Sequence, residues 1–183
     1  MGNGRWLGAQ LRRHLQTGDK VLEIGAGDAT LALRHFPQDI DYTGLDLAPR
    51  PDELLETWSW RQENILDADL DGDIVLANLF LHHFSDAELR AFGRRLSDSP
   101  ARVVLVAEPH RHSVHQWQGR LLYPFGLSEV TRHDMQVSIA AGFRKGELAE
   151  VLGVTGKQWV REESRTKLGS LRMEASRNGV SWM

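Results

Sequence analysis

Apolar side chains recur at helical spacing from Trp6 to Leu15 and stop at Thr17-Gly18-Asp19, which predicts a first helix closed by a turn. The period then changes. Lys20-Val21-Leu22-Glu23-Ile24 is a short apolar run that breaks into Gly25-Ala26-Gly27-Asp28, and Ala29 to Phe36 is helical again until Pro37. This reads as strand, glycine turn, helix. The alternation repeats with Asp41 to Leu47 as a second strand, Asp52 to Thr57 as a short helix and Trp58 to Glu63 as a third strand. Asp73 to Asn78 is a fourth, with the near-continuous apolar character of a strand covered on both faces. Ser85, with Glu88 three residues on, is a capping-box signature for a helix to about Leu96. Arg102 to Ala107 is the most β-branched run, which predicts the centre of the sheet.

The end of the chain departs from this rhythm. A helix around Gly146 to Leu152 precedes two runs, Lys157 to Thr166 and Ser170 to Ser176, separated by a turn containing Gly169. The second alternates Leu171, Met173 and Ala175 with Arg172, Glu174 and Ser176, the pattern of an antiparallel hairpin with one wet face. His110 to Phe143 has no clean periodicity and is predicted as a helix followed by an irregular loop over the sheet edge. Strands alternating with helices imply right-handed crossovers. The fold class is α/β: a doubly wound, mostly parallel sheet with a C-terminal antiparallel hairpin, in one domain over 1–183.

The composition narrows the chemistry. The chain contains no Cys, which excludes disulfides, a thiol nucleophile and thiolate-bound metals. Residues 1–100 carry 10 Lys and Arg against 17 Asp and Glu, and the remainder 12 against 8. An acidic first half argues against a nucleic-acid partner, since phosphates need a concentrated positive field. No run is long enough for a membrane span and the first residues do not resemble a signal peptide, so the expected location is cytoplasmic. His82, His83, Glu108, His110 and His112 lack metal-helix spacing, and no metal is expected.

In an open α/β sheet, ligands bind outside the carboxyl ends of the strands where the topology reverses. Gly25 and Gly27 allow a tight turn and close approach of a ligand, and Asp46 follows Glu23 at the spacing of an acid that bonds ribose hydroxyls. An adenosine-containing cofactor is expected. A dinucleotide fingerprint calls for a third glycine where Thr30 stands, and Glu23 suits an ammonium group better than a phosphate. S-adenosylmethionine fits better than NAD.

At these residues the chain resembles the class I S-adenosylmethionine-dependent methyltransferases, whose first motif, an acid, any residue, then Gly-any-Gly, is here Glu23-Ile24-Gly25-Ala26-Gly27. The resemblance runs from about Lys20 to Ala175 and implies their Rossmann-like seven-stranded fold. It also implies that Asp46, with Leu47 beside it, holds the ribose, that Asn64 and Ile65 flank the adenine, and that Asn78 and Leu79 pass near the sulfonium; the family more often has Asp at the Asn64 position. Leu79-Phe80-Leu81-His82-His83-Phe84 looks like the corresponding segment of quinone and polyketide methyltransferases. Val130-Thr131-Arg132-His133-Asp134, Ser138 and Ala141-Gly142-Phe143 look like bacterial enzymes associated with type III polyketide synthases.

The expected reaction is methyl transfer to a small-molecule acceptor, such as a phenolic or polyketide-type hydroxyl. His82 or His83 is the candidate general base; being adjacent, they are expected to point in different directions. Glu108, His110, Trp117 and Tyr123 are candidates for the acceptor side, with 110–143 as its cap, while Glu108 equally suits a cap for a helix after Pro109. Trp58, Trp60 and Trp159 are read as packing residues. A catalytically silent binding module and an NAD-dependent oxidoreductase are the alternatives. The sequence does not give the oligomeric state.

Overall fold

The apolar runs form strands in the computed structural model, which describes residues 2–111 and 142–178. The strands are β1 (Lys20–Ile24), β2 (Asp41–Asp46), β3 (Ser59–Gln62), β4 (Ile74–Asn78), β5 (Val103–Pro109), β6 (Trp159–Arg165) and β7 (Ser170–Arg177). They make one sheet in the order β3-β2-β1-β4-β5-β7-β6. β1 to β5 pair in parallel, and β7 runs antiparallel to both β5 and β6.

Because successive side chains of a strand point to opposite faces, apolar runs supply two cores at once. Val21, Tyr42, Ile74, Leu76, Val103 and Leu105 pack under α1 (Asn3–His14) and α2 (Thr30–His35). Leu22, Ile24, Leu45, Val75, Val104 and Val106 pack under α3 (Asp86–Asp98) and α4 (Glu147–Val151). Fully burying each such side chain contributes about 1.5–3 kcal/mol, so both helical layers are held by the sheet. The capping box of α3 forms: the Ser85 hydroxyl accepts from the Glu88 N–H, and the Glu88 carboxylate accepts from the Ser85 N–H at 2.8 Å. No helix among the described residues is long and apolar enough to cross a membrane.

Three expectations are corrected. Residues 52–57 form turns, not a helix, and the Arg50 guanidinium donates to the carbonyls of Trp58 at 2.8 Å and Leu55 at 2.9 Å, replacing helical hydrogen bonds. The central strand is β4; β5 is fully buried because β7 covers its outer edge. The alternation on β7 marks no wet face. Glu174 is only 9% exposed, and His14 of α1 meets its Oε1 at 2.7 Å, so the polar positions face a polar stripe of the helix. The wet strand is β6, at the edge.

The order reverses between β1 and β4, since β2 and β3 lie to one side and β4 and β5 to the other. Ile24 pairs with Ala77, so Gly25 and Asn78 leave the sheet side by side at this switch point.

Candidate functional site

The turn after β1 is held in a left-handed backbone, with φ of 65° at Gly25, 57° at Gly27 and 56° at Ala29. The two glycines are needed for different reasons. A Cβ on Gly25 would lie 2.1 Å from the Phe80 ring, whereas one on Gly27 would meet nothing within 4 Å. Gly25 therefore makes room for Phe80, and the space beside Gly27 is open. Asp46 locks the turn to β2: its carboxylate accepts the Gly27 N–H at 2.8 Å and the Ala48 N–H at 2.9 Å. Each oxygen keeps a further lone pair. Ala26 is buried and Leu47 is 70% exposed beside the turn. Asp28 accepts the Thr30 N–H at 3.0 Å, so one free donor at the start of α2 is already taken by the chain, and this bond holds the Asp28 carboxyl below its usual range.

Glu23 lies between Leu22 and Ile24, so the strand turns it toward α1 and α2, where it is 2% exposed. The Tyr42 hydroxyl donates to its Oε2 at 2.7 Å. Burial pushes its pKa up to about 8; Tyr42 opposes this, and the charges of Asp28 and Asp46 add to it. The same burial and the neighbouring Glu23 raise the Tyr42 hydroxyl.

Asn64 is exposed after β3, its Oδ1 accepting the Leu66 N–H at 3.0 Å, and Ile65 is buried in the core beneath. Asn78 has a buried Oδ1 with no hydrogen-bond partner. Leu79 turns the chain away from β4 with a left-handed φ of 54°, its N–H donating to the Ala107 carbonyl at 2.7 Å.

On the opposite face of the sheet, Glu108 is fully buried. Its Oε1 accepts the N–H groups of Phe80 at 2.9 Å and Leu81 at 2.8 Å, and its Oε2 lies 2.8 Å from His82 Nδ1. Glu108 does not cap a helix directly after Pro109, since β5 continues through Pro109 and the His110 and Arg111 N–H groups donate to the Gly169 and Phe143 carbonyls. It holds the 3-10 turn Leu81–His83. Glu108 thus orients the His82 ring through Nδ1, which leaves Nε2 as the ring's other nitrogen. The two imidazoles do not diverge as expected: their centroids are 4.2 Å apart. Burial and then the neighbouring His82 lower the His83 pKa, with Glu108 opposing. Phe80 joins the two halves, its ring lying on Gly25 and 6.4 Å from that of His83.

His110 is buried and bridges Phe143, and Arg111 pairs with Glu147, so neither opens onto the crevice as a lone cation. Trp58 and Trp159 are core residues, and Trp60 packs over Gly44. Trp117, Tyr123 and the 130–141 part of the resemblance lie outside the described residues, as does most of the expected 110–143 cap. Among the described residues no group of three or more His, Asp and Glu is arranged to hold a metal ion. Sequence reasoning missed Tyr42 and Phe80. A tyrosine on a buried strand needs a partner for its hydroxyl, a signal that could have found Glu23 on the neighbouring strand; Phe80 stood in the segment Leu79 to Phe84, but nothing there marked its contact with Gly25.

No protein-family model matches the chain, and no curated protein matches it. Solved structures share its fold. The plantazolicin methyltransferase BpumL in complex with SAH is 10% identical, with a TM-score of 0.70 over 97% of this chain and 82% of that one. Magnesium protoporphyrin IX methyltransferase from Synechocystis PCC 6803, with bound SAH, is 13% identical, with a TM-score of 0.65 over 96% of this chain and 82% of that one. Human N-acetylserotonin methyltransferase in complex with SAM is 13% identical, with a TM-score of 0.63 over 96% of this chain and 51% of that one. The chain has the Rossmann-like fold of these methyltransferases, with a mostly parallel seven-stranded sheet and an antiparallel end.

Proposed function

We propose that this chain is an S-adenosylmethionine-dependent methyltransferase that acts on a hydroxyl of a small molecule, of phenolic or polyketide type. One observation supports the reading: the glycine turn and an oriented imidazole are linked through Phe80, whose ring lies on Gly25 and whose N–H donates to the Glu108 carboxyl group that orients His82. The donor set fits the cofactor. Asn78 Oδ1 is a buried acceptor without a donor, and Glu23, Asp28 and Asp46 make the surroundings of the turn acidic, which suits an ammonium and opposes the pyrophosphate of a dinucleotide.

When bound, S-adenosylmethionine supplies an electrophilic methyl group. Asp46, with Leu47 beside it, would accept from the ribose hydroxyls with its remaining lone pairs, Asn64 and Ile65 would flank the adenine, and Gly25, Ala26 and Gly27 would let the cofactor approach the chain closely. Glu23 and Asn78 would receive its ammonium group, and Leu79 shapes the turn beside them. His82, held by Glu108, takes the acceptor's proton at Nε2. Alignment and exclusion of water supply the rest, since no covalent step on the enzyme is needed. Trp117 and Tyr123 remain the candidates for the acceptor wall. The structures of BpumL, the protoporphyrin enzyme and the N-acetylserotonin enzyme contain SAH or SAM, which supports the cofactor assignment.

Calorimetry with S-adenosylhomocysteine and with NAD tests the cofactor: binding of the first and not the second is expected, and the reverse overturns the reading. Methyl transfer to a panel of phenols, quinones and polyketide acids tests the reaction. Cofactor binding without turnover on the panel favours a silent binding module.

A further inference from the structure

Glu23 is a carboxyl group without the donors that a buried charge requires. It is 2% exposed, and among the described residues its one hydrogen bond comes from the Tyr42 hydroxyl at 2.7 Å. Among the described residues no cation acts on it. β4 presents Leu76 opposite it, α1 contributes Leu7 and Leu11 to the surrounding core, and α2 contributes Ala32. β2 contributes Tyr42, whose ring is backed by Trp58 at 4.6 Å and Phe36 at 6.1 Å. The charged groups that act on it are Asp28, from the glycine turn, and Asp46, at the end of β2, and both are negative. An apolar wall and two like charges disfavour a third negative charge.

We propose that Glu23 is the proton-exchanging contact for the ligand's ammonium group: it stays a neutral acid while the site lacks a cation, and gives its proton to solvent as the ammonium arrives, with Tyr42 as the positioning donor to the resulting carboxylate. This rests on the reading that the crevice takes an adenosine thioether with an amino-acid arm. In the exchange the carboxyl O–H bond breaks heterolytically and its proton passes to buffer, the ligand keeps all its ammonium protons, and no covalent bond forms. The raised Glu23 pKa is what this environment should produce.

Two consequences follow from linkage. With Glu23 held neutral in the free site, binding near pH 6.5 releases a proton, and affinity rises with pH below the range where an α-amino group itself titrates. A ligand without the amine releases no proton, so the exchange selects for the amino-acid arm.

The test is calorimetry of S-adenosylhomocysteine in two buffers of different ionisation enthalpy at pH 6.5, with the same thioether lacking its α-amino group as the comparison. Wild-type protein is expected to release about one proton with the first ligand and none with the second. Glu23→Gln should bind more weakly, release none and lose the pH dependence. Tyr42→Phe should still release the proton, with affinity lowered about tenfold by loss of a hydrogen bond to a charged group. Equal proton release with and without the amine overturns the proposal and does not depend on either variant folding. Binding with no release in wild type overturns the proposal and leaves the cofactor reading standing. No binding of S-adenosylhomocysteine at all overturns the cofactor reading, and the proposal with it.

Discussion

Two buried carboxylates stand at the carboxyl ends of the sheet, on opposite faces, and their surroundings differ in kind. Glu108 accepts three hydrogen bonds from its own chain, two from the backbone of Phe80 and Leu81 and one from His82. Glu23 accepts one, from Tyr42. Burying a carboxylate costs several kcal/mol unless donors replace the lost water. Glu108 has its donors built in and serves to fix the turn and the imidazole above it. Glu23 lacks them, and the missing partner belongs to whatever occupies the crevice.

Truncation should separate the two most sharply. Glu108→Ala strands two backbone N–H groups and the His82 ring, and is expected to cost about 3–5 kcal/mol in chemical denaturation. Glu23→Ala removes one hydrogen bond and a neutral acid, and should cost about 1–2 kcal/mol. Equal losses would mean that the count of donors does not distinguish the two sites.

The histidines sharpen the Glu108 side. His82→Ala is expected to lower kcat by about a hundred- to ten-thousand-fold while S-adenosylhomocysteine binds as before, because a positioned base contributes about that factor. His83→Ala, which removes a ring with no carboxylate partner of its own, should change kcat less than several-fold. A larger loss at His83 would move the base there and make His82 a support. On the Glu23 side, Asp46→Ala should weaken S-adenosylhomocysteine binding by about 1.5–3 kcal/mol, the range for hydrogen bonds to a charged group. An unchanged affinity would leave Asp46 as a lock for the Gly27 turn alone.

How far the sequence displayed these sites depended on distance along the chain. The turn Gly25-Ala26-Gly27 and Asp46 were legible because a strand, two glycines and an acid at fixed spacing are local signals, and the Ser85–Glu88 capping box was legible for the same reason. The role of Glu108 was not, because its partners stand 26 to 28 residues earlier and meet it only through the β4–β5 register, which sets Asn78 against Ala107. Tyr42 is hidden likewise behind the β1–β2 pairing, 19 residues from Glu23. The misread wet face of β7 has the longest range of all: Glu174 is covered by His14, 160 residues away.

That His14–Glu174 pair supplies the smallest effect and a third kind of buried acid, one paired, among the described residues, with a single imidazole and no backbone donor. Glu174 has its pKa lowered first by the hydrogen bond from His14, then by the charges of His14 and Arg13. An acid that binds its proton less readily in the folded chain stabilises the fold fully above its unfolded pKa, about 4.3, and loses that contribution as pH falls through the folded value. Glu23 has the opposite sign. Its raised pKa makes its contribution complete below about 4.3, and that contribution is lost as pH rises toward about 8. The two slopes adjoin near pH 4.3 in wild-type protein, so the Glu174 limb is best read in a Glu23→Gln background. There, denaturation midpoints should stay flat with respect to these two groups between pH 5 and 6 and fall below pH 4.5, and adding Glu174→Gln should remove part of that acid limb. An acid limb of unchanged depth would show that His14 and Glu174 are held together by packing of α1 on the sheet, with no net contribution from the charge.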